Sequence, residues 1–274
     1  MPLNTINDLH LEKYMPADMG KITGLSAVWE GWLGKGRDDG PPRSGGIHAS
    51  EIHGCERKIV YSILGKPRSS THIPVVWKKR FEMGHAVHNM LQKQFHQMAN
   101  DSDGTIEFDD EVRISPERQP MAEKWQIYSS CDGIFTFREN RDAPPTARLG
   151  LEIKTISPTS FTKLNKPEPG HVEQAHVYMA CLDLPMVWFL YWDKGYQNTT
   201  GTNLPAFMVK FDLKVWQKLE EKFDRLHAMA MVHRLPDRKE SMICEFCSYA
   251  SICQPECWKR SQGNKHIHTR WEQQ

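Results

Sequence analysis

Two carboxylates, a lysine and a set of cysteines carry the chemistry of this sequence. Asp132 stands before Gly133, and Glu152-Ile153-Lys154 follows in the next extended run. If both runs are neighbouring β-strands, the two acidic side chains meet at one end of a sheet. Two like charges in a partly buried place repel unless a cation joins them. Hard oxygen ligands select Mg²⁺ or Mn²⁺, and the backbone carbonyl of Ile153 supplies one oxygen more. Side chains alternate along a strand, so Lys154 falls on the side of Glu152 while Ile153 turns to the core. An ammonium there orients an attacking water or stabilises charge growing on a phosphate. A lone Glu-x-Lys is usually a surface ion pair, and a lone Asp-Gly is usually a turn. Their order among the other motifs is what gives the pair weight.

His88 closes the segment Gly84-His85-Ala86-Val87-His88. Gly84 permits close approach of another backbone, and His88 lies one helical turn on, where a neutral imidazole nitrogen can serve as a third metal ligand. A histidine on a long helix is more often an ordinary core or surface residue. Gln174 and Tyr178 share one helix face; an amide and a phenol there can hold a DNA phosphate or Lys154, and either is equally at home on a plain polar face.

The cysteines divide into a cluster and a distant partner. Cys244, Cys247 and Cys253 offer three thiolates from a compact loop, and a fourth is needed for tetrahedral Zn²⁺ or a [4Fe–4S] cluster. Cys257 would close a local zinc knuckle, whereas Cys55 would tie the two ends of the chain together. Cys131 and Cys181 read as small buried hydrophobes.

These groups need a scaffold, and the chain is long enough for one: 274 residues, 39% hydrophobic, net charge +1. So small a charge excludes a globally basic nucleic-acid binder, and any DNA path must be a local groove. The first residues lack a secretory pattern, and no apolar run approaches membrane-spanning length. The expected compartment is a reducing cytoplasm, bacterial or that of a phage-infected host, where clustered cysteines mean metal or redox chemistry.

Residues 1–45 read as an extension or linker, with residues 46–274 as the main domain. Ser50 is expected to cap a helix to Leu64. A longer helix from Pro74 to Ala99 shows Trp77, Phe81, Val87, Leu91 and Phe95 at helical spacing. Extended runs follow at 105–114, 125–137 and 147–156, with a turn at 140–145. A helix at 173–182, strands at 186–192 and 206–211, and an amphipathic helix at 213–233 complete the pattern. Val215, Trp216, Leu219, Phe223 and Leu226 form the stripe of that last helix. Helices alternating with strands in this way predict an α/β fold with a mixed central sheet flanked by helices.

Taken together, Cys55 with Arg57, Gly84 to His88, Asp132-Gly133, Glu152 to Lys154, Gln174 to Tyr178 and the three later cysteines resemble the RecB-like branch of the PD-(D/E)XK nucleases. The resemblance is to its iron–sulfur members, the AddB nuclease domain and the CRISPR-associated RecB-type exonucleases. It spans residues 48 to 253. It implies a restriction-endonuclease-like core and metal ligation by His88, Asp132 and Glu152. It also implies catalytic support from Lys154 and a structural [4Fe–4S] cluster on Cys55, Cys244, Cys247 and Cys253. Cys131 stands where the family's proline would, as is common in this branch. The extra Cys257 keeps Zn²⁺ open as the alternative.

The expected activity is that of a Mg²⁺- or Mn²⁺-dependent exonuclease on single-stranded DNA or DNA ends. Arg57, Lys58, Lys78, Lys79 and Arg80 are candidates to line the strand, against simple solvation on a helix face; Trp77 and Tyr61 are candidates to stack on bases, with core packing the commoner role for each. The alternative is a DNA-end-binding or adaptor module without catalysis. A homo-oligomer, or partnership with recombination or defence proteins, stays open.

Overall fold

The computed structural model describes residues 45–68, 75–195, 206–239, 244 and 247–253. Residues 1–44 and Cys257 lie outside the described residues, and with them almost all of the expected N-terminal extension and the alternative zinc ligand.

Strand β1 (Ile47–His48) leads into a short 3-10 turn (Ala49–Glu51), then helix α1 (Glu56–Ile63). The break at Gly54 corrects the single helix expected from Ser50. Cys55, in extended conformation, is the residue before the first turn of α1. Helix α2 (Val75–Asn100) follows, then β2 (Ile106–Ile114), the short α3 (Pro120–Trp125), β3 (Ile127–Arg138) and β4 (Pro145–Ile156). Helices α4 (Pro158–Phe161) and α5 (Pro169–Leu182) precede β5 (Met186–Asp193) and β6 (Ala206–Lys210). Helices α6 (Leu213–Met231) and α7 (Ala250–Cys253) end the described chain. Trp125 had been expected to open a strand; Pro120 at the first helical position starts α3 instead, and Trp125 is buried with its indole N–H donating to Asp224 at 2.7 Å.

The sheet is mixed, in the order β1-β3-β4-β5-β6, with β2 also paired to β3. β1 runs parallel to β3 and β4 parallel to β5; the other pairings are antiparallel. Helices cover both faces, as the sequence pattern predicted. On one face Val87, Leu91 and Phe95 of α2 pack against Phe108, Phe135, Leu151, Ile153 and Leu190. On the other, Ala175, Val177 and Tyr178 of α5 and Leu219, Phe223 and Leu226 of α6 cover Ile127, Ile134, Val187 and Phe189. The α6 stripe is the expected one.

Only part of α2 is anchored in this way. Buried side chains such as Leu91 contribute roughly 1.5–3 kcal/mol each, and they lie in its C-terminal half. Trp77 and Phe81, which share the apolar period, are 42% and 50% exposed.

Candidate active site

The site lies where β3 and β4 part. Their ladder ends at the pair Gly133–Leu151. Gly133 is required there, because a Cβ would come within 2.3 Å of the Phe108 ring. The next positions along are Asp132 and Glu152. The N–H of Ile153 donates to Asp132 Oδ2 at 2.7 Å, so a carboxylate takes the place of a backbone acceptor. Asp132 Oδ1 lies 3.4 Å from His88 Nδ1, which reaches over from α2.

Glu152 is 3% exposed and turned toward α5, while Ile153 enters the core beneath α2. The alternation read from Glu-x-Lys is therefore the one observed. Glu152 Oε1 accepts from Lys154 Nζ at 2.7 Å and from Gln174 Nε2 at 3.0 Å. Lys154 Nζ also donates to Gln174 Oε1 at 2.9 Å, and Gln174 Nε2 in turn contacts the Tyr178 hydroxyl. One amide thus grips both members of the ion pair. Glu152 Oε2 is buried and has no hydrogen-bond partner.

Burial pushes the Glu152 carboxyl up to about 7; the charge of Asp132 adds to this, and Lys154 opposes it. At His88 burial works against the charged form, but the hydrogen bond and charge of Asp132, with Glu152 and Glu111 behind, raise the imidazole above its ordinary value. Both shifts have the same sign for stability. Between its ordinary value of 4.5 and about 7, the folded Glu152 holds a proton that the unfolded chain has released. Stability therefore falls as pH rises through that window, by a few kcal/mol. His88 extends the fall above its ordinary value of 6.5. A divalent cation needs both groups deprotonated and so displaces those protons. The melting temperature of metal-free protein is expected to drop between pH 5 and pH 8, and added Mn²⁺ to restore it most at the alkaline end. Differential scanning fluorimetry with and without chelator measures both; a flat metal-free profile would contradict the buried-carboxyl assignment.

Three parts of the site were not anticipated from sequence. Gln92, one turn beyond His88 on α2, is buried and donates through Nε2 to the Asp132 carbonyl (2.9 Å) and to Glu111 Oε1 (3.0 Å). Its signal was available: residues 84, 88 and 92 share a helix face. Glu111 stands opposite Asp132 in β2 with a left-handed φ of 47°, held further by Ser130 Oγ at 2.9 Å. That φ costs a non-glycine residue about 1–2 kcal/mol, and the register skips it. His171, bonded to the Tyr191 hydroxyl at 2.8 Å, is held down to about 4 by burial and by the nearby Lys154 charge.

Other expectations need correction. Gly84 admits a side chain, not a backbone: its neighbour is Thr155 Oγ1, 3.3 Å from where a Cβ would be. Tyr61 is buried against Tyr249 (ring centroids 5.4 Å apart) and cannot stack on a base. Arg57 donates to the Pro236 carbonyl and Lys58 pairs with Glu51, so each already has a partner within the chain.

Cys247 lies near Cys244 and near Cys55, the residue before α1. Burial pushes the Cys247 thiol up, and the nearby Cys55 and Cys244 thiols push the same way. Burial works against the Arg57 charge, but Tyr61 first and Cys253 after it raise the guanidinium above its ordinary value. Cys131 and Cys181 are buried in the core, as expected. Among the described residues, no three His, Cys, Asp or Glu side chains stand ready to hold a metal as they lie. In the acidic site both Asp132 oxygens and one Glu152 oxygen are engaged within the protein. Among the described residues, no helix is long and apolar enough to cross a membrane.

No family model matches the chain, and no curated protein does either. Among solved structures, that of SSO0001 is similar with a TM-score of 0.48 at 13% identity, over 84% of this chain and 96% of that one. An alkaline exonuclease (LHK-Exo) from Laribacter hongkongensis gives 0.47 at 13% identity, over 70% and 90%. Its complex with dAMP gives 0.45 at 15%, over 69% and 90%. At such TM-scores and identities, neither protein assigns an activity or a site residue to this chain.

Proposed function

We propose that the protein is a divalent-metal-dependent nuclease of the RecB-like type, hydrolysing phosphodiester bonds of single-stranded DNA or DNA ends. The observation that carries the reading is Glu152 Oε2: a buried carboxylate oxygen without a hydrogen bond of sound geometry, on a residue that is paired with Lys154 and feels the charge of Asp132. An orphaned buried oxygen is costly, and a divalent cation removes the cost. The donor set fits one: Asp132, Glu152 and the Ile153 carbonyl are hard oxygens, and His88 adds a nitrogen. Bound there, Mg²⁺ or Mn²⁺ would supply Lewis acidity at the scissile phosphate and an activated water.

The chain's own groups do the remainder. Lys154 brings an ammonium to the place where charge grows on the phosphate. Gln174 fixes that ammonium and the Glu152 carboxylate in one geometry, and Tyr178 fixes Gln174. Cys55, Cys244, Cys247 and Cys253 have the donor chemistry for a [4Fe–4S] cluster; Zn²⁺ with Cys257 is the alternative.

The test is incubation of the purified protein with end-labelled single- and double-stranded DNA and Mn²⁺, with and without chelator. Chelator-sensitive release of mononucleotides or short products is expected, faster on single strands. Stable binding with no chelator-sensitive cleavage would identify an adaptor module instead.

A further inference from the structure

One face of α2 runs from the site to an exposed basic and aromatic end. Residues 80, 84, 88 and 92 recur every fourth position and so line one stripe. Gln92 holds the Asp132 carbonyl, His88 its carboxylate, and Gly84 abuts Thr155, the residue after Lys154. At the end of the stripe, the Arg80 carbonyl accepts from Lys194 Nζ at 3.4 Å, and the Lys194 N–H is bonded to the Ile156 carbonyl just beyond β4. Arg80 therefore lies about 12 Å from His88 along the helix.

Three features converge at this end. The Arg80 guanidinium lies 5.0 Å from the Trp77 ring centroid, a cation–π contact that presents ring and charge together. Trp77 and Phe81, neighbours at i and i+4, are 42% and 50% exposed, too much for core side chains. A second cation stands at the same residue: Lys194 Nζ donates to the Arg80 carbonyl, and burial, then the Arg80 charge, lowers Lys194 from its ordinary value. Like charges gathered beside an exposed indole suit an anion that also offers a flat ring.

We propose that Trp77, Arg80 and Lys194 form a subsite for one nucleotide of a single-stranded substrate, with its base stacked on Trp77 and its phosphate between the two cations. The spacing along α2 makes this nucleotide a neighbour of the scissile one, not the scissile one itself. Base–aromatic stacking needs an unpaired base, so the subsite selects single strands over duplex. The direction of the strand toward the acidic site rests on the hydrolytic reading above; the binding itself does not.

The experiment is fluorescence anisotropy of a short fluorescein-labelled oligodeoxythymidylate with the full chain, in chelator, so that no cleavage occurs. Trp77→Ala is expected to weaken binding roughly tenfold to a hundredfold, and Trp77→Phe to keep it within about threefold of wild type. Arg80→Gln is expected to lower the slope of log affinity against log salt by about one. Circular dichroism checks the fold of each variant, and should Trp77→Ala fail to fold, Trp77→Phe and Arg80→Gln still decide. Wild-type affinity in Trp77→Ala, an unchanged salt slope in Arg80→Gln, or equal affinity for a blunt duplex overturns the proposal. So does Trp77-dependent self-association without oligonucleotide binding, which would give this face to a second copy of the chain. Because chelator is present throughout, failure here leaves metal-dependent hydrolysis standing, and absence of hydrolysis leaves this binding standing.

Discussion

Glu152→Gln is expected to reduce Mn²⁺-dependent cleavage by roughly a thousandfold or more while leaving the fold intact. The amide keeps the shape of the side chain, and its oxygen still accepts from Lys154, as Oε1 does now at 2.7 Å. What it loses is the second anionic oxygen, the buried one with no partner of its own. A cation bound there would lose one of its two anionic ligands, and metal-assisted chemistry fails with it. Stability moves the other way. A carboxyl that burial has pushed up to about 7 is a liability in the metal-free protein near neutral pH. Its neutral replacement removes that liability, so metal-free Glu152→Gln should melt at or above the wild-type temperature at pH 8. Added Mn²⁺ should no longer raise its melting temperature.

Lys154→Ala separates the two effects. It removes the ammonium but neither carboxylate, and the expected loss is about a hundredfold to a thousandfold in rate, with Mn²⁺ binding retained. It leaves Glu152 buried without its counter-charge, a defect of about 3 kcal/mol if the carboxylate stays ionised. Protonation relieves part of that, so the variant should be relatively more stable at pH 5.5 than at pH 8. Single-turnover cleavage and fluorimetry on the same preparations test both variants. Full cleavage by either one would sink the hydrolytic assignment.

The local grammar of this site was legible because it depends on alternation and nearness in sequence. Glu152 and Lys154 share a face of β4 for the reason any i, i+2 pair does, and Gln174 and Tyr178 share a face of α5 as any i, i+4 pair does. The antiparallel pairing of β3 with β4 could be anticipated from the turn between them. What pattern alone could not supply was register. Glu111 meets Asp132 only because β2 pairs with β3 in one alignment and distorts there. Gln92 becomes part of the site only because α2 crosses β3 at that height. The period of α2 was equally silent about its free end. Trp77 and Phe81 continue the apolar stripe, yet they are 42% and 50% exposed. A period says which way side chains face; it says nothing of whether a partner is there.

Cys55→Ala is expected to cause the largest loss of stability of any single cysteine change. Helix α1 already joins the C-terminal part of the chain at several points. Arg57 donates to the Pro236 carbonyl at 2.9 Å, Glu56 pairs with Arg225, and Tyr61 packs against Tyr249. These contacts are partly exposed or modest, and exposed pairs contribute little. A thiolate-bound centre that includes Cys55 would add a covalent-strength link across most of the chain. On the chain-entropy account, closing so long a loop restricts the unfolded state by on the order of 5 kcal/mol, and metal binding becomes part of folding. Anaerobically purified wild-type protein should then be brown and contain iron and acid-labile sulfide. Cys55→Ala should lose the colour and melt many degrees lower, while Cys257→Ala should keep both colour and stability. The opposite pair of outcomes, a colourless zinc protein indifferent to Cys55 and crippled by loss of Cys257, would replace the cross-chain staple with a local knuckle. In that case α1 would be joined to the C-terminal part of the chain by its polar and aromatic contacts alone, with no metal bridging them.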